Sequence, residues 1–235
     1  MDLTSVFPKT VTFLGISFKD TVIQAVLVAI PLLLFAIWAS RRFDTWAPSR
    51  WQLAIEWLVE YVENLVRDIG GRALPEAIPY LTTMITFIAL ANLLGWIPGF
   101  QAPTRDLNMT LALSLTSLLS TYFYSIRKRG FVGWLKSYVQ PVFIMAPINL
   151  MGELSRLLSM ALRLFGNVLS GEVITAVVFG LLPLIGPIPL GLLGSLTGVL
   201  QALVFTILTL VFILDAMGTE ESQTAATAEA SEAAV

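Results

Sequence analysis

Four ionisable residues lie in one otherwise apolar segment, a setting in which charge is costly and commonly functional. They are Glu153, Arg156, Arg163 and Glu172. Arg163 lies about two turns beyond Arg156, too deep in the segment for its side chain to reach the membrane surface. A guanidinium at that depth faces water or a partner, so Arg163 predicts an ion path. Arg156 is nearer the end of the segment, where it has an alternative interpretation as an interface anchor.

The residues on Arg163's side of the helix are small or polar. At about 100° per residue, the side chains that lie within about 60° of the Arg163 direction around the helix axis are those of Asn149, Gly152, Arg156, Ser159, Arg163, Gly166, Asn167 and Ser170. Such a stripe lets another helix or water approach closely. Glu172 comes nine positions after Arg163 and is therefore about 180° away. Ionisable groups on opposite faces predict two separate aqueous approaches rather than one continuous pore.

A second glycine-rich helix carries an amide, and a loop carries two further polar residues. Gln201 shares a face with the GxxxG pair Gly194 and Gly198. The pair alone is typical of helix packing, but a buried glutamine needs hydrogen-bond partners, which a polar path or the arginine would supply. Ahead of the third apolar run, Asp106 and Asn108 are predicted at the external mouth of that path. Asp106 has the alternative interpretation of a helix cap.

The composition is that of a membrane protein. Of 235 residues, 56% are hydrophobic and 13% are charged, whereas an average soluble domain has about 25% charged residues. The formal net charge of −2 gives no electrostatic case for binding nucleic acid. The absence of Cys and His removes disulfides, thiolate sites, the usual zinc ligand and the Ser-His-Asp triad. We therefore expect no metal, no cofactor and little capacity for catalysis.

Apolar runs of about 20 residues or more predict the membrane-spanning helices. We expect an all-α fold with five of them, the last two long and tilted as a hairpin, at residues 21–40, 78–97, 107–126, 147–182 and 188–216. The proline cluster at residues 183–189 separates the last two. The spans form one membrane domain, residues 21–218, after an N-terminal segment, residues 1–20. The acidic, Ala/Thr-rich tail, residues 219–235, is predicted to be disordered.

Lysine and arginine set the predicted orientation. Arg41, Arg42 and Arg50 follow the first span, and the basic run at residues 127–129 follows the third. The positive-inside rule places both segments in the cytoplasm, with the N-terminus outside and the C-terminus inside. Between the first two spans, residues 51–69 predict an amphipathic helix that lies along the cytoplasmic surface. Alternatively, this helix packs on the protein's own loops.

Several segments resemble subunit a of F-type ATP synthases, the stator of a membrane ion motor, in its bacterial and plastid forms. The most specific is Arg163-Leu-Phe-Gly-Asn-Val-Leu-Ser-Gly-Glu172, and the similarity covers about residues 15–220. It continues through Pro147-Ile-Asn-Leu, Leu200-Gln-Ala-Leu-Val-Phe205, Ile78-Pro-Tyr-Leu, Ala91-Asn-Leu-Leu-Gly-Trp-Ile-Pro98, Asp106-Leu-Asn-Met-Thr110 and the Arg-Lys-Arg-Gly loop.

The resemblance implies roles for the site residues. Arg163 matches the essential stator charge of the family. The residues expected to translocate the ion are Arg163, Glu172, Gln201 and Asn167. Those expected to line the half-channels are Asp106, Asn108, Glu153, Arg156, Ser159 and Ser170.

The implied function is that of the ion-translocating stator of a rotary ATP synthase in a bacterial plasma (inner) membrane. Two offset half-channels are expected to carry H⁺, or Na⁺, to and from the carboxylates of the c-subunit ring. Arg163 is expected to prevent leak and to drive ion release. The implied partners are that ring, the peripheral-stalk b subunits, the rest of the ATP synthase and the lipid bilayer. The chain by itself is not expected to be catalytic.

Two positions depart from the family pattern, and two other functions stay open. Gly194 stands where some bacterial members have histidine, and Gly171 stands where the plastid-like form has an acidic residue. The outer half-channel therefore lacks both titratable groups. A self-contained ion channel or carrier predicts transport by the purified chain alone. A scaffold for other membrane subunits predicts that Arg163 is replaceable.

Overall fold

The protein is a bundle of helices with a small hairpin at its start. The computed structural model describes residues 10–13, 16–43, 49–71, 74–95, 97, 100–139, 145–181 and 187–232. Within these residues the helices are α1 (Asp20–Ser40), α2 (Arg50–Gly70), α3 (Ile78–Leu94), α4 (Leu107–Val139), α5 (Met145–Leu181) and α6 (Pro187–Glu232). An antiparallel pair, β1 (Thr10–Phe13) and β2 (Ile16–Lys19), precedes α1, and a 3-10 turn, Pro103–Arg105, precedes α4.

The predicted membrane-protein class is confirmed. The helices long and apolar enough to cross a membrane are Asp20–Ser40, Leu107–Leu135, Pro147–Leu181 and Pro189–Met217. The predicted second span is the shorter apolar helix α3, which has 17 residues. It ends at Leu94 rather than at Ile97 because the chain turns back on itself at Gly95. A Cβ on Gly95 would lie 3.0 Å from the backbone nitrogen of Ala102.

The helix α4 continues beyond the predicted end of the third span. It runs to Val139 with a break at Gly130, where φ is 75° and ψ is 160°, a conformation that glycine adopts without a Cβ penalty. The basic run at residues 127–129 is therefore helical. The Nζ of Lys128 donates a hydrogen bond to the carbonyl of Met217 at 3.4 Å, which ties the end of this span to α6.

The helix α6 extends past residue 216, the predicted end of the fifth span. It continues without a break to Glu232, because residues 219–232 are rich in Ala and Glu, which favour helix, and extending a formed helix needs no new nucleation. Parts of other predictions lie outside the described residues. These are residues 1–9 and 14–15 of the N-terminal segment, residue 96 of the second span, residue 182 of the fourth span, residues 183–186 of the proline cluster and residues 233–235 of the tail.

The amphipathic helix α2 packs on the bundle through its C-terminal half. Ser49 caps its start by accepting a hydrogen bond from a backbone N–H of the first turn at 3.3 Å, and Gly71 ends it with φ of 60°. Val62 and Val66 are buried in the core shared with α3 and α6. At the other end of the helix, Trp51 stays 70% exposed. The C-terminal half of α2 therefore packs against α3 and α6.

The apolar core lies where α3, α5 and α6 meet. Leu81, Leu164, Phe205 and Leu210 are almost completely buried there. The helix α4 instead presents a row of buried hydroxyl groups, the hydroxyl stripe, formed by Thr110, Ser114, Ser117, Thr121 and Ser125. Their spacing of three or four residues puts them on one face.

The bundle has two distinct ends, because α5 runs antiparallel to both α4 and α6. At the Arg105 end, the starts of α1 and α4 meet the later part of α5, and Arg105 approaches Glu172. At the Arg156 end, the later part of α4 meets the early part of α5, where the hydroxyl of Tyr122 donates to the carboxylate of Glu153. The residues predicted for the site divide between these two ends.

Candidate functional site

The predicted polar stripe of α5 lies on an exposed face. Its exposed members are Gly152, Arg156, Ser159, Arg163, Gly166, Asn167 and Ser170. Away from this face, Ala161 and Leu164 are completely buried in the bundle. The helix is therefore held by one side, and Arg163 projects from the other.

Arg163 borders a cavity between α5 and α6. The cavity has a volume of about 270 Å³, and its walls include Ser159 and Arg156 from α5 with Leu208 and Phe212 from α6. It extends along α5 from Arg163 towards Arg156, so the two arginines share one recess.

A larger cavity, of about 440 Å³, opens at the Arg156 end. Its polar walls come from α4, α5 and α6 and include Ser117, Thr121, Ser125, Asn149, Glu153, Arg156 and Asp215. The hydroxyl stripe thus meets the predicted residues Glu153 and Arg156 at this end. Hydroxyl, carboxylate and guanidinium groups together form a surface that a hydrated cation can approach.

Asp215 is a residue of this cavity that the sequence interpretation missed. Its Oδ2 lies 3.0 Å from Nη2 of Arg156, and the guanidinium carbon of Arg156 lies 4.9 Å from the centroid of the Phe212 ring. A signal for it was present in the sequence. Asp215 follows Gln201 by 14 positions, which brings it back to within about 40° of the same helix face.

At the Arg105 end, Asp106 is a buried residue. Only 6% of it is exposed. Its carboxylate accepts hydrogen bonds from the backbone N–H of Asn108 at 3.1 Å and from the hydroxyl of Thr21 at 3.0 Å, and it lies 3.1 Å from the Nζ of Lys19. The Asn108 contact agrees with the helix-cap interpretation, while the side chain of Asn108 is exposed beside it.

The pKa of Asp106 reflects these contacts. Burial acts to raise the pKa of this carboxyl group, but the hydrogen bonds from Asn108, Lys19 and Thr21 and the positive charge of Lys19 outweigh burial and lower it below its ordinary value. Asp106 therefore remains ionised at neutral pH and holds the start of α1 against the start of α4.

Glu172 has a partner that sequence reasoning did not select. Its Oε2 lies 3.8 Å from Nη1 of Arg105, and Nη2 of the same guanidinium lies 3.9 Å from Oδ2 of Asp20. The backbone N–H of Ala102 also hydrogen-bonds to the Glu172 carboxyl group. The sequence signal was a charged residue directly before Asp106 in an otherwise uncharged loop.

Gln201 joins α5 to α6 between the two ends. It is buried, and its Oε1 accepts a hydrogen bond from Nδ2 of Asn167 at 3.3 Å. One turn earlier, Gly198 permits close packing of α3, since a Cβ there would lie 2.8 Å from the Cβ of Asn92. The Nδ2 of Asn92 donates to the Gly198 carbonyl at 2.9 Å. In the GxxxG pair, the close approach is at Gly198, because Gly194 faces open space among the described atoms.

The polar groups do not gather into a metal site in the part of the chain that the structure describes. There, no three His, Cys, Asp or Glu side chains converge to hold a metal ion. The chemistry available from guanidinium, carboxylate, amide and hydroxyl groups is the attraction, hydrogen bonding and release of small cations.

Comparison with known proteins places the chain among ATP synthase subunits. The ATP synthase A chain family matches residues 21–214. The ATP synthase subunit a 1 of Crocosphaera subtropica is 36% identical over 210 residues, which are 89% of this chain and 91% of that protein. The ATP synthase subunit a 1 of Chlorobaculum parvum is 39% identical over 176 residues, 75% and 78% of the two chains. The ATP synthase subunit a of Albidiferax ferrireducens is 41% identical over 165 residues, 70% and 71% of the two chains.

The family match contains every residue that the sequence predicted for the site, from Asp106 to Gln201, whereas Asp20 and Asp215 lie just outside it. The similarity therefore covers α1, the polar stripe of α5 and the buried face of α6 together. The chain belongs to the ATP synthase A chain family, whose members are a channel component of the synthase and not its catalytic part.

Proposed function

We propose that this chain is the ion-translocating stator of the membrane sector, with H⁺ or Na⁺ moving through two offset half-channels to and from the carboxylates of a c-subunit ring. The observation that carries the proposal is the position of Arg163. It is exposed on α5, between the cavity at the Arg156 end and the charged cluster at the Arg105 end. One permanent cation between two polar approaches is the arrangement that an offset pathway requires.

The outer half-channel is assigned to the Arg105 end. Ions pass Asp106, Asn108 and Glu172 before they reach a ring carboxylate. The burial of Asp106 makes it part of the wall, whereas the exposed Asn108 lies closer to the external surface. Glu172 is the α5 carboxylate on this side, and its side chain is 28% exposed.

The inner half-channel is assigned to the cavity at the Arg156 end. Ions leaving the ring pass Ser159 and then Glu153, Arg156 and Asp215, which line the two connected recesses. The exposure of about half of the Arg156 and Asp215 side chains, 47% and 57%, supports an opening to solvent there. Ser170 lies on the same face of α5 towards the other half-channel.

Arg163 separates the two half-channels electrostatically. Its positive charge attracts an ionised ring carboxylate, which favours release of the bound ion as each ring site arrives. The same charge repels cations and so blocks a direct path between the half-channels. The Asn167–Gln201 hydrogen bond supports this role because it fixes α5 against α6 next to the arginine.

The partners follow from the same arrangement. The c-subunit ring covers the exposed stripe of α5, the peripheral-stalk b subunits complete the stator, and lipid surrounds the remaining apolar surface. The basic residues Arg41, Arg42 and Lys128 favour a cytoplasmic Arg156 end in the bacterial plasma membrane, with the N-terminus outside. Impermeant labelling of single cysteines at Arg42, Lys128 and Asn108 tests this orientation, and a cytoplasmic Asn108 would reverse both half-channel assignments.

The decisive experiment replaces Arg163 in the assembled complex reconstituted in liposomes. We expect Arg163→Ala to abolish coupled ATP synthesis and to permit passive ion leak. Arg163→Lys keeps the charge but loses the planar fork and is more strongly hydrated, so it should also largely fail. Glu172→Gln serves as the matched variant, because it lines one side only and should slow uptake without opening a leak.

ATP synthesis and passive flux of H⁺ and ²²Na⁺ are measured in the same vesicles for all three variants. Normal coupling in Arg163→Ala would refute the stator function and favour a scaffold. Selective ion transport by liposomes that hold this chain alone would favour a self-contained channel or carrier instead.

A further inference from the structure

The charged cluster at the Arg105 end contains two carboxylates that share one guanidinium. Arg105 is completely buried, while Asp20 and Glu172 are each 28% exposed. The two carboxylates come from different spanning helices, α1 and α5, and the arginine comes from the turn before α4. A buried guanidinium in this position is stabilised by opposite charges, and its planar fork can face two carboxylates at once.

The distances between the Arg105 guanidinium and the two carboxylates indicate electrostatic attraction without a direct hydrogen bond between these side chains. Nη1 of Arg105 is 3.8 Å from Glu172, and Nη2 is 3.9 Å from Asp20, which is longer than a direct hydrogen bond. At such separations a bridging water fits the geometry. The Glu172 carboxylate is therefore held near Arg105 with part of its surface still open, a condition under which it can exchange a small cation.

Among the residues that the structure describes, the charge balance leaves the cluster one cation short. Lys19 lies 3.1 Å from Asp106 and balances its charge, so Asp20 and Glu172 have Arg105 between them. When both are ionised, this triad carries a net negative charge and attracts one further monovalent cation. The described charged groups around Glu172 are Arg105 and Asp106 from the loop, Asp20 from α1 and Lys19 from β2.

We infer that Arg105 is a positioning residue of the outer ion path, which holds the Glu172 carboxylate in competition with Asp20 and thereby sets the ion concentration at which that path fills. The inference rests on the proposed function, since it assigns Glu172 to ion uptake. Removing the guanidinium leaves Glu172 to bind the incoming cation more tightly. Removing Asp20 gives Glu172 the undivided attraction of Arg105 and weakens cation binding.

The test uses the assembled complex in liposomes, with ATP synthesis measured over a range of outer pH values and, separately, of Na⁺ concentrations. We expect Arg105→Gln to lower the half-saturating concentration of the coupling ion by at least about tenfold, the size of effect that an opposite charge at this distance produces. Asp20→Asn should move it in the opposite direction. Arg105→Lys, which keeps the charge, should stay nearer the wild type.

A double variant separates positioning from a general loss of structure. In a Glu172→Gln background, Arg105→Gln should cause no further change in half-saturation, because the group through which it acts is gone. Arg67→Gln is the matched control, since Arg67 is an exposed arginine paired within α2 to Glu63, and it should behave like the wild type. If Arg105→Gln fails to assemble, the opposite shift in Asp20→Asn still decides the question.

The possible results distinguish the two proposals. Unchanged half-saturation in both Arg105→Gln and Asp20→Asn would refute the inference while leaving the stator function intact, provided that Arg163→Ala is uncoupled. Equal shifts with and without Glu172 would make Arg105 a purely structural residue. Normal coupling in Arg163→Ala would remove the proposed function and the inference together.

Discussion

The two ends of the bundle both carry charged residues, but they differ in how deeply those residues are buried. At the Arg105 end, charged side chains from β2, α1, the 3-10 turn and α5 are drawn together, and Arg105 and Asp106 are buried. At the Arg156 end, Arg156 and Asp215 form a direct pair but remain about half exposed beside a cavity. The charged groups of the Arg105 end are therefore packed inside the protein, whereas those of the Arg156 end are open to solvent.

This difference in burial predicts at which end a substitution can change ion movement without changing the stability of the fold. Buried polar groups that lose a partner carry a desolvation cost, so changes at the Arg105 end should affect folding as well as ion movement. Exposed ion pairs contribute little to stability, so changes at the Arg156 end should affect ion movement alone. Four substitutions test this contrast, beginning with the largest expected loss of stability.

Gly198→Ala should produce the largest loss. The added Cβ would lie 2.8 Å from the Cβ of Asn92, so α3 and α6 must separate near the Arg105 end, and such overpacking costs ~2 kcal/mol. We expect a lower temperature for loss of the chain from the detergent-solubilised complex. Gly194→Ala is the matched control, because its Cβ meets open space. Equal temperatures for the two variants would contradict close packing at Gly198.

Asp106→Asn should have an intermediate effect of ~1 kcal/mol at neutral pH, from the weakened cap and the lost ion pair with Lys19. Because the pKa of Asp106 is lowered in the folded state, its contribution is present above the ordinary carboxyl pKa and is lost as pH falls through the folded value. The difference from the wild type should therefore shrink on acidification. Thermal unfolding of the complex across pH measures it, with the exposed Asp68→Asn as control. A pH-independent difference would show that the ionised carboxylate contributes nothing.

Arg156→Gln and Asp215→Asn should have the smallest effect on stability, below ~0.5 kcal/mol each, because both partners are exposed. Their effect on transport should be larger. We expect passive flux through the membrane sector to change by about threefold to tenfold, since charge at a channel mouth sets the local ion concentration. Flux assays in vesicles stripped of the catalytic sector measure this, with Arg127→Gln, an exposed arginine paired with Glu76, as control. A large loss of stability with unchanged flux would remove the contrast between the ends.

The spanning helices and the polar stripe could be predicted because they depend on local pattern. Long uncharged runs place helices, and a period of about 3.6 residues places Arg163 and Asn167 on one face. Arg105 could not be selected in this way, since its importance comes from contacts with Asp20 and Glu172, which are 85 and 67 positions away in the sequence. A charged residue is recognised as a functional candidate from its local sequence when the surrounding segment is a long apolar helix, as for Arg163.

The shallow burial of α5 has a consequence for how the subunit is made. In its membrane-spanning window only 6% of residues are buried within the chain, and its exposed face carries Arg156 and Arg163. During biosynthesis that face must meet lipid before any neighbouring subunit arrives, and the central Arg163 raises the cost of insertion by about 2.5–3.5 kcal/mol. A newly inserted copy without its neighbours is thus a poorly shielded membrane protein, a natural substrate for quality-control proteolysis. The exposed arginines that we propose for transport thus make the lifetime of the subunit depend on how quickly it is assembled.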